Sequence, residues 1–314
     1  MKTRGKVLAQ YTNGNYRVIL FSDGTKVKST MDPREDVFKP DFPECVDLNI
    51  TDYCDVGCPF CYMNSTRNGA HAPVADNIKF LKSIPKGCEV ALGGGSPITH
   101  PELPILLGYL RGRGVVSNIT VHHSHLEKYF PTIKKYVDDG WLHGVGVSMN
   151  KYDPRILQLV NELGTGVVHV IAGVVDPDDF MKMSREVNIL ILGYKNKGRA
   201  KYDKLPEDVE KNILGIKGYM PIVLNFRKHV VSFDNLALEQ LSIKNFVSQE
   251  EWNKCYMGDD GMTGEFDSAS MYVDIVKHTF ARNSVVAKNH NFSESDGTMT
   301  DMFHILQKEN NEEN

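Results

Sequence analysis

The chain has 314 residues, 41% hydrophobic and 24% charged, enough to bury a sizeable core and to fill about two domains. Its 40 acids against 36 bases leave a formal net charge of −4, which argues against a protein that grips nucleic-acid phosphates through overall basicity. No run reaches the roughly 18 apolar residues of a membrane span, and the opening MKTRGKVLAQY has no hydrophobic signal core, so the expectation is a soluble cytoplasmic protein whose clustered cysteines are metal or redox groups.

Residues 5–30 read as a β-meander, KVLAQY, NYRVILF and TKVKS, separated by the hairpin-forming dipeptides Asn13-Gly14 and Asp23-Gly24. With the proline-bearing linker that follows, residues 1–44 form an N-terminal β-rich extension. From residue 45 strands and helices alternate, with strands over 45–51, 88–93, 115–122, 143–149, 166–175 and 187–193, and helices over 75–84, 102–112, 125–138, 153–163 and 177–186. Ser124 with Glu127 fits a capping box, and Asp153-Pro154 and Asp176-Pro177 fit two further helix starts. Such repetition implies parallel strands wrapped by helices. Six βα units fall short of a closed eight-stranded barrel and suit an open, partial (βα)6 barrel over 45–200, with a doubly wound sheet as the alternative. Residues 201–305 complete and cap it, with a helix over 206–217, a mixed stretch at 228–241 that turns at Asp234-Asn235, and one strand over 270–282. The polar end, 306–314, reads as a disordered tail.

Three of the six cysteines, Cys54, Cys58 and Cys61, form C-x3-C-x2-C directly after the first strand of the βα array. Three thiolates hold three irons of a [4Fe–4S] cube and leave the fourth iron open to a ligand. A structural zinc site needs four ligands, and His71 is the available fourth for that competing reading.

This spacing, with the aromatic Phe60 before the third cysteine, resembles the radical S-adenosylmethionine (SAM) enzymes. The resemblance implies a [4Fe–4S] cluster on Cys54, Cys58 and Cys61 that binds SAM, cleaves it reductively, and yields a 5′-deoxyadenosyl radical that abstracts hydrogen from substrate. It also implies an external one-electron reductant of the flavodoxin or ferredoxin type. At the next strand end, LGGGSP matches the family's glycine-rich SAM motif through Gly93, Gly94, Gly95 and Pro97, with Ser96 where glutamate is common. Ser148 and Asn150 follow the fourth strand, where the family places polar contacts to SAM. In the fifth, Ile171 and Gly173 match a G-x-I-x-G-x-x-E stretch that contacts adenine, while His169 and Asp176 depart from it. Ordinary strand packing is the alternative for Ser148 and Ile171. The resemblance covers residues 45–195.

Alternation in the first core strand separates Val46, Leu48 and Ile50 from Asp47, Asn49 and Thr51, and the polar set suits a barrel lumen, against a solvent-facing edge strand. His122, His123 and His125 end the third strand, where a barrel carries its active site, and His123 is the candidate to face substrate, against a metal-binding cluster or ordinary loop and cap histidines. Lys195 and Arg199 are candidates for SAM's carboxylate or an anionic substrate, against a solvated charged loop. Cys255 is a candidate hydrogen-atom donor to a substrate radical, against a buried core thiol. The expected activity is hydrogen abstraction from a peptide or amino-acid-like molecule. A nucleoside or nucleic-acid modifier and a non-catalytic, zinc-stabilised binding module are the alternatives.

Overall fold

The computed structural model describes residues 5–22, 24–34, 38–225, 228–252, 269–285 and 289–312. Strands β1 (Val7–Asn13), β2 (Tyr16–Phe21) and β3 (Lys26–Thr30) form an antiparallel meander, turned between β1 and β2 at Gly14, whose φ is +55°. A Cβ on Gly14 would overlap the Lys39 carbonyl, so the turn is pinned to the linker behind it.

The core begins with β4 (Cys45–Thr51), α1 (Ile78–Ser83), β5 (Glu89–Gly94), α2 (Leu103–Gly112), β6 (Val116–His122) and α3 (His123–Asp138). It continues through β7 (Gly144–Ser148), α4 (Pro154–Leu163), β8 (Gly166–Ile171), α5 (Pro177–Met183), β9 (Ile189–Leu192), α6 (Glu207–Asn225), β10 (Val231–Phe233) and α7 (Asn235–Gln240). After the single turn α8 (Gln249–Glu251) come β11 (Ser270–Asp274), β12 (Thr279–Ala281), β13 (His290–Asn291) and α9 (Met299–Glu312).

Ten strands form one sheet in the order β10-β9-β8-β7-β6-β5-β4-β11-β12-β13. From β4 to β10 each new strand joins the same edge in parallel. A right-handed crossover then puts every helix on the same face, and the order never reverses as a doubly wound sheet must. The sheet is an open, partial barrel: β10 and β13 are its edges, and no ladder joins them among the described residues.

The parallel run is longer than six units. A seventh strand, β10, lies in the stretch that sequence reads as mixed, because three residues are too few to show alternation. The strand expected over 270–282 is two. Asp274 Oδ1 accepts from the Val276 and Lys277 amides, His278 adopts φ +52°, and the chain reverses from β11, parallel to β4, into β12. Asp153 and Asp176 cap α4 and α5 as expected, whereas Asp234 caps α7 rather than only turning the chain. The expected capping box at Ser124 does not form. His122 is the N-cap of α3, its Nδ1 accepting from the Ser124 amide, so the helix starts two residues early. Residues 306–312, expected as disordered tail, continue α9. No helix among the described residues is long and apolar enough to cross a membrane.

The meander meets the barrel at the N-terminal ends of β4 and β5. Lys26 Nζ lies 2.7 Å from Glu89 and 3.4 Å from Glu44, and Lys28 lies 2.9 Å from Glu44. Glu44 is almost fully buried, so these ammonium groups hold a carboxylate that would be costly alone.

At the other sheet edge His290 is buried between Glu294 (2.8 Å) and Glu309 (3.0 Å), joining β13 to α9. Burial lowers its pKa, but the two carboxylates outweigh burial and raise it above the ordinary 6.5. A raised folded-state pKa means that this clasp contributes fully below about pH 6.5, while the glutamates stay ionised, and is lost as pH rises through the raised value. The urea midpoint of the wild type should therefore fall between pH 6 and pH 8 by more than that of His290→Gln. Equal slopes in the two proteins would remove His290 from the account.

Candidate active site

Beyond Thr51 the chain leaves the sheet in a loop with little repetitive structure. Its base is closed by the amide of Asp52 donating to Ala70 O, that of Cys54 to Thr66 O, and that of Thr66 to Asp52 O, at 2.8, 2.8 and 3.2 Å. Gly57 carries the loop through φ +76° between Cys54 and Cys58, and the Cys61 amide donates to Cys58 O. Cys54, Cys58 and Cys61 are all free and partly exposed. Burial raises the Cys58 thiol pKa, and the Cys54 and Cys61 sulfurs raise it further, so the three thiols lie within electrostatic reach of one another.

Two other segments hold this loop. The Arg199 amide donates to Cys61 O, its Nε to Cys58 O and its Nη1 to Ser65 O, at 3.0, 3.0 and 2.8 Å. A Cβ on the preceding Gly198 would overlap the Cys61 and Tyr62 carbonyls, and that glycine sits at φ +63°. Arg199, expected to meet an anion, instead spends these donors on loop carbonyls, although its Nη2 is buried without a partner. Lys195 Nζ lies 4.3 Å from the Tyr62 ring centroid and donates to Ser284 Oγ at 3.1 Å.

The second holder is the tip of β5. The amides of Gly95 and Ser96 donate to the carbonyls of Thr51 and Tyr53 at 2.6 and 2.7 Å. Side chains on Gly94 and Gly95 would overlap this backbone: a Cβ on Gly94, at φ +105°, meets Asn49 Oδ1 and Thr51 O, and one on Gly95 meets Tyr53 O. Gly93 differs, because a Cβ there would find open space. Ser96 is fully buried and shares a 2.8 Å hydrogen bond with His125 Nδ1, whose Nε2 lies 2.8 Å from Asp55 Oδ1. Its hydroxyl thus ties the glycine edge through His125 to the residue after Cys54.

Other sequence candidates separate. Phe60 and Ile171 come together against a small apolar cluster of Tyr194, Ala200 and Val209. Gly173 is packed tightly, since a Cβ would overlap Val209 and crowd Tyr194. Asn150 Oδ1 accepts from the Ile171 amide at 2.8 Å, so this oxygen joins the ends of β7 and β8, while Ser148 at the tip of β7 is partly exposed. His123 packs against His122 with the rings tilted and their centroids 4.0 Å apart. Burial lowers the pKa of both and takes His122 down to about 4. His71 shares a hydrogen bond with Thr51 Oγ1 at 2.8 Å and packs on Tyr53 and His100 at the loop base. Cys255 lies outside the described residues.

Sequence reasoning missed the polar group beneath the loop. Asn49 Nδ2 donates to Asp52 and Asp274, both at 2.9 Å, and Lys277 Nζ bridges the same two carboxylates at 2.8 and 3.2 Å. The Asp-x-x-Lys spacing of Asp274 and Lys277 at a strand end was the available signal.

Three free, partly exposed thiols on one short loop are a donor set that an iron–sulfur cube can use. Among the described residues no three His, Cys, Asp or Glu side chains converge on a single metal position. Thiolates on an iron–sulfur cube each take their own iron and need no such convergence.

Arg199→Ala should loosen the loop. In the metal-free protein, labelling of Cys54, Cys58 and Cys61 by a thiol reagent should accelerate severalfold at unchanged helix content. Unaltered rates would mean that Arg199 is not what holds the loop.

The sequence profile of the Radical SAM superfamily matches residues 48–190. No curated protein matches the sequence. Among solved structures, Streptococcus suis SuiB bound to S-adenosylmethionine superposes with a TM-score of 0.58 at 15% identity, over 84% of this chain and 66% of that one. SuiB bound to the precursor peptide SuiA gives 0.58 at 15% identity, over 85% and 65%. The chain thus spans just under two thirds of the length of these structures, and the likeness is one of fold. The matched stretch opens three residues into β4, takes in the cysteine loop and the glycine edge, and ends in β9. Residues 48–190 carry a radical SAM domain, a superfamily whose enzymes use a [4Fe–4S] cluster and S-adenosylmethionine.

Proposed function

We propose that the protein cleaves SAM reductively and abstracts hydrogen from a peptide or amino-acid-like substrate on the open face of its partial barrel. The observation that carries this reading is the partly exposed thiol loop held against a glycine edge whose first residue, Gly93, faces open space. Bound there, the cluster and SAM supply one electron from an external flavodoxin- or ferredoxin-type donor and a hydrogen-abstracting 5′-deoxyadenosyl group.

The chain's own residues bind and orient. Cys54, Cys58 and Cys61 hold the cluster, and the buried, unpartnered Nη2 of Arg199 offers a donor beside these ligands. Gly93 leaves room for the methionine end of SAM, next to backbone already committed to the cysteine loop. Phe60 and Ile171 provide an apolar wall for a flat base, and the partly exposed Ser148 a polar contact. In this reading Gly94, Gly95, Ser96, Asn150 and Gly173 serve by holding backbone in place. His123, the first residue of α3, whose pKa burial lowers, is the candidate to face substrate.

A peptide substrate is supported by the fold shared with SuiB, one of whose structures holds the precursor peptide SuiA. The acidic balance of the chain weighs against a nucleic-acid substrate.

Anaerobic reconstitution should yield about four irons with matching sulfide per chain, and dithionite plus SAM should then release 5′-deoxyadenosine slowly without substrate. Cys54→Ala/Cys58→Ala/Cys61→Ala should lose both. One zinc per chain and no sulfide would overturn the reading in favour of a zinc-stabilised module.

Gly93→Ala should lower SAM affinity about tenfold with iron content retained, the size of one lost close contact. Gly94→Ala should lose iron as well, because its side chain would strike the backbone that shapes the cysteine loop. Equal SAM affinity in Gly93→Ala would remove Gly93 from the binding surface.

A further inference from the structure

We propose that the lumen binds its substrate through a cationic group, a primary ammonium or a guanidinium, received by the carboxylate of Asp47. The inference rests on the radical SAM reading of the site and adds the chemical class that the lumen selects.

Asp47 is in the middle of β4, paired in register with Tyr272 of β11 on one side and Ala91 of β5 on the other. Its chain neighbours Val46 and Leu48 point to the helices and are each 1% exposed. Asp47 itself is exposed, although it sits inside a strand with partners on both sides. An accessible side chain there opens onto the concave face, with the surrounding protein displacing much of its water. That desolvation is the largest influence on Asp47 and raises its pKa. Lys195 acts in the opposite sense, and Asp234 reinforces the rise.

Among the described residues Asp47 has neither a hydrogen bond nor an ion pair. Its polar neighbours do not supply one. Lys195 Nζ is engaged by Ser284 Oγ and the Tyr62 ring. Tyr272 donates to Asp274 at 3.3 Å. Asp234 is itself an acid, its Oδ1 taken by the amides of Gly193 and Ala237. His169 shares the concave face on β8, and burial pushes its pKa down to about 4, so it is neutral at pH 7. A half-desolvated carboxylate without a partner is costly, and an incoming cation removes that cost, while a phosphate-bearing substrate would be repelled. A lysine or arginine side chain or a free amine meets the requirement.

The test uses the full-length, cluster-reconstituted protein with SAM bound. Calorimetric titration compares N-acetyl-lysine methylamide and N-acetyl-arginine methylamide with the uncharged N-acetyl-norleucine methylamide. At least one cationic probe should bind about tenfold tighter than norleucine, and Asp47→Asn should abolish that difference without changing norleucine affinity. Lys195→Met, which removes the opposing cation, should tighten the cationic probe, and it carries the test should Asp47→Asn fail to fold. Equal affinities in the wild type, discrimination kept in Asp47→Asn, unchanged binding in Lys195→Met, or no binding of any probe would each overturn the assignment. Cluster absorbance and SAM affinity are read on the same samples. If both are intact, only the cation site fails; if both are lost in the wild type, the radical SAM reading fails instead.

Discussion

The cysteine loop has almost no hydrogen-bonded ladder of its own, and carbonyls in such a segment are satisfied only by what is brought to them. Those of Cys58, Cys61 and Ser65 are met by Arg199, and those of Thr51 and Tyr53 by the amides of the β5 tip. The thiols are positioned because two strand ends and the segment after β9 converge on one stretch of backbone. The parallel sheet supplies that convergence, since every βα unit returns its strand end to the same side.

The glycine edge divides its labour. Gly94 and Gly95 are glycines because carbonyls and the Asn49 amide oxygen occupy the space a side chain would need, whereas Gly93 leaves space unfilled. A serine next to them changes the local chemistry. A glutamate would carry its own charge toward the site, but the short, buried Ser96 hands its hydroxyl to His125 and through it to Asp55. The glycine edge and the cysteine loop are thereby coupled by side chains as well as by backbone.

The C-terminal strands belong to the same construction. β11 lies beside β4, so Asp274 and Lys277 reach Asn49 and Asp52 directly under the loop. β4 becomes a central strand, and Asp47 has a paired strand on either side instead of lying on an edge.

The sequence by itself determined what is local. The alternation of apolar residues located β4 to β9, Asp153-Pro154 and Asp176-Pro177 marked helix starts, and C-x3-C-x2-C with its following glycines marked the loop and the strand tip, because spacing along the chain sets these features. Tertiary structure decided what depends on distant partners. Arg199 reaches Cys58 across 141 residues, and β10 is too short to be read without β9 beside it. The break at Asp274 needs only its own side chain, yet the residues on both sides read as one strand. His122 caps α3 through an imidazole nitrogen that composition does not flag. Asp47 shows only alternation in the sequence. Whether it meets water, a partner or an empty lumen is fixed by the strands on either side, since burial is a property of neighbours and not of the residue.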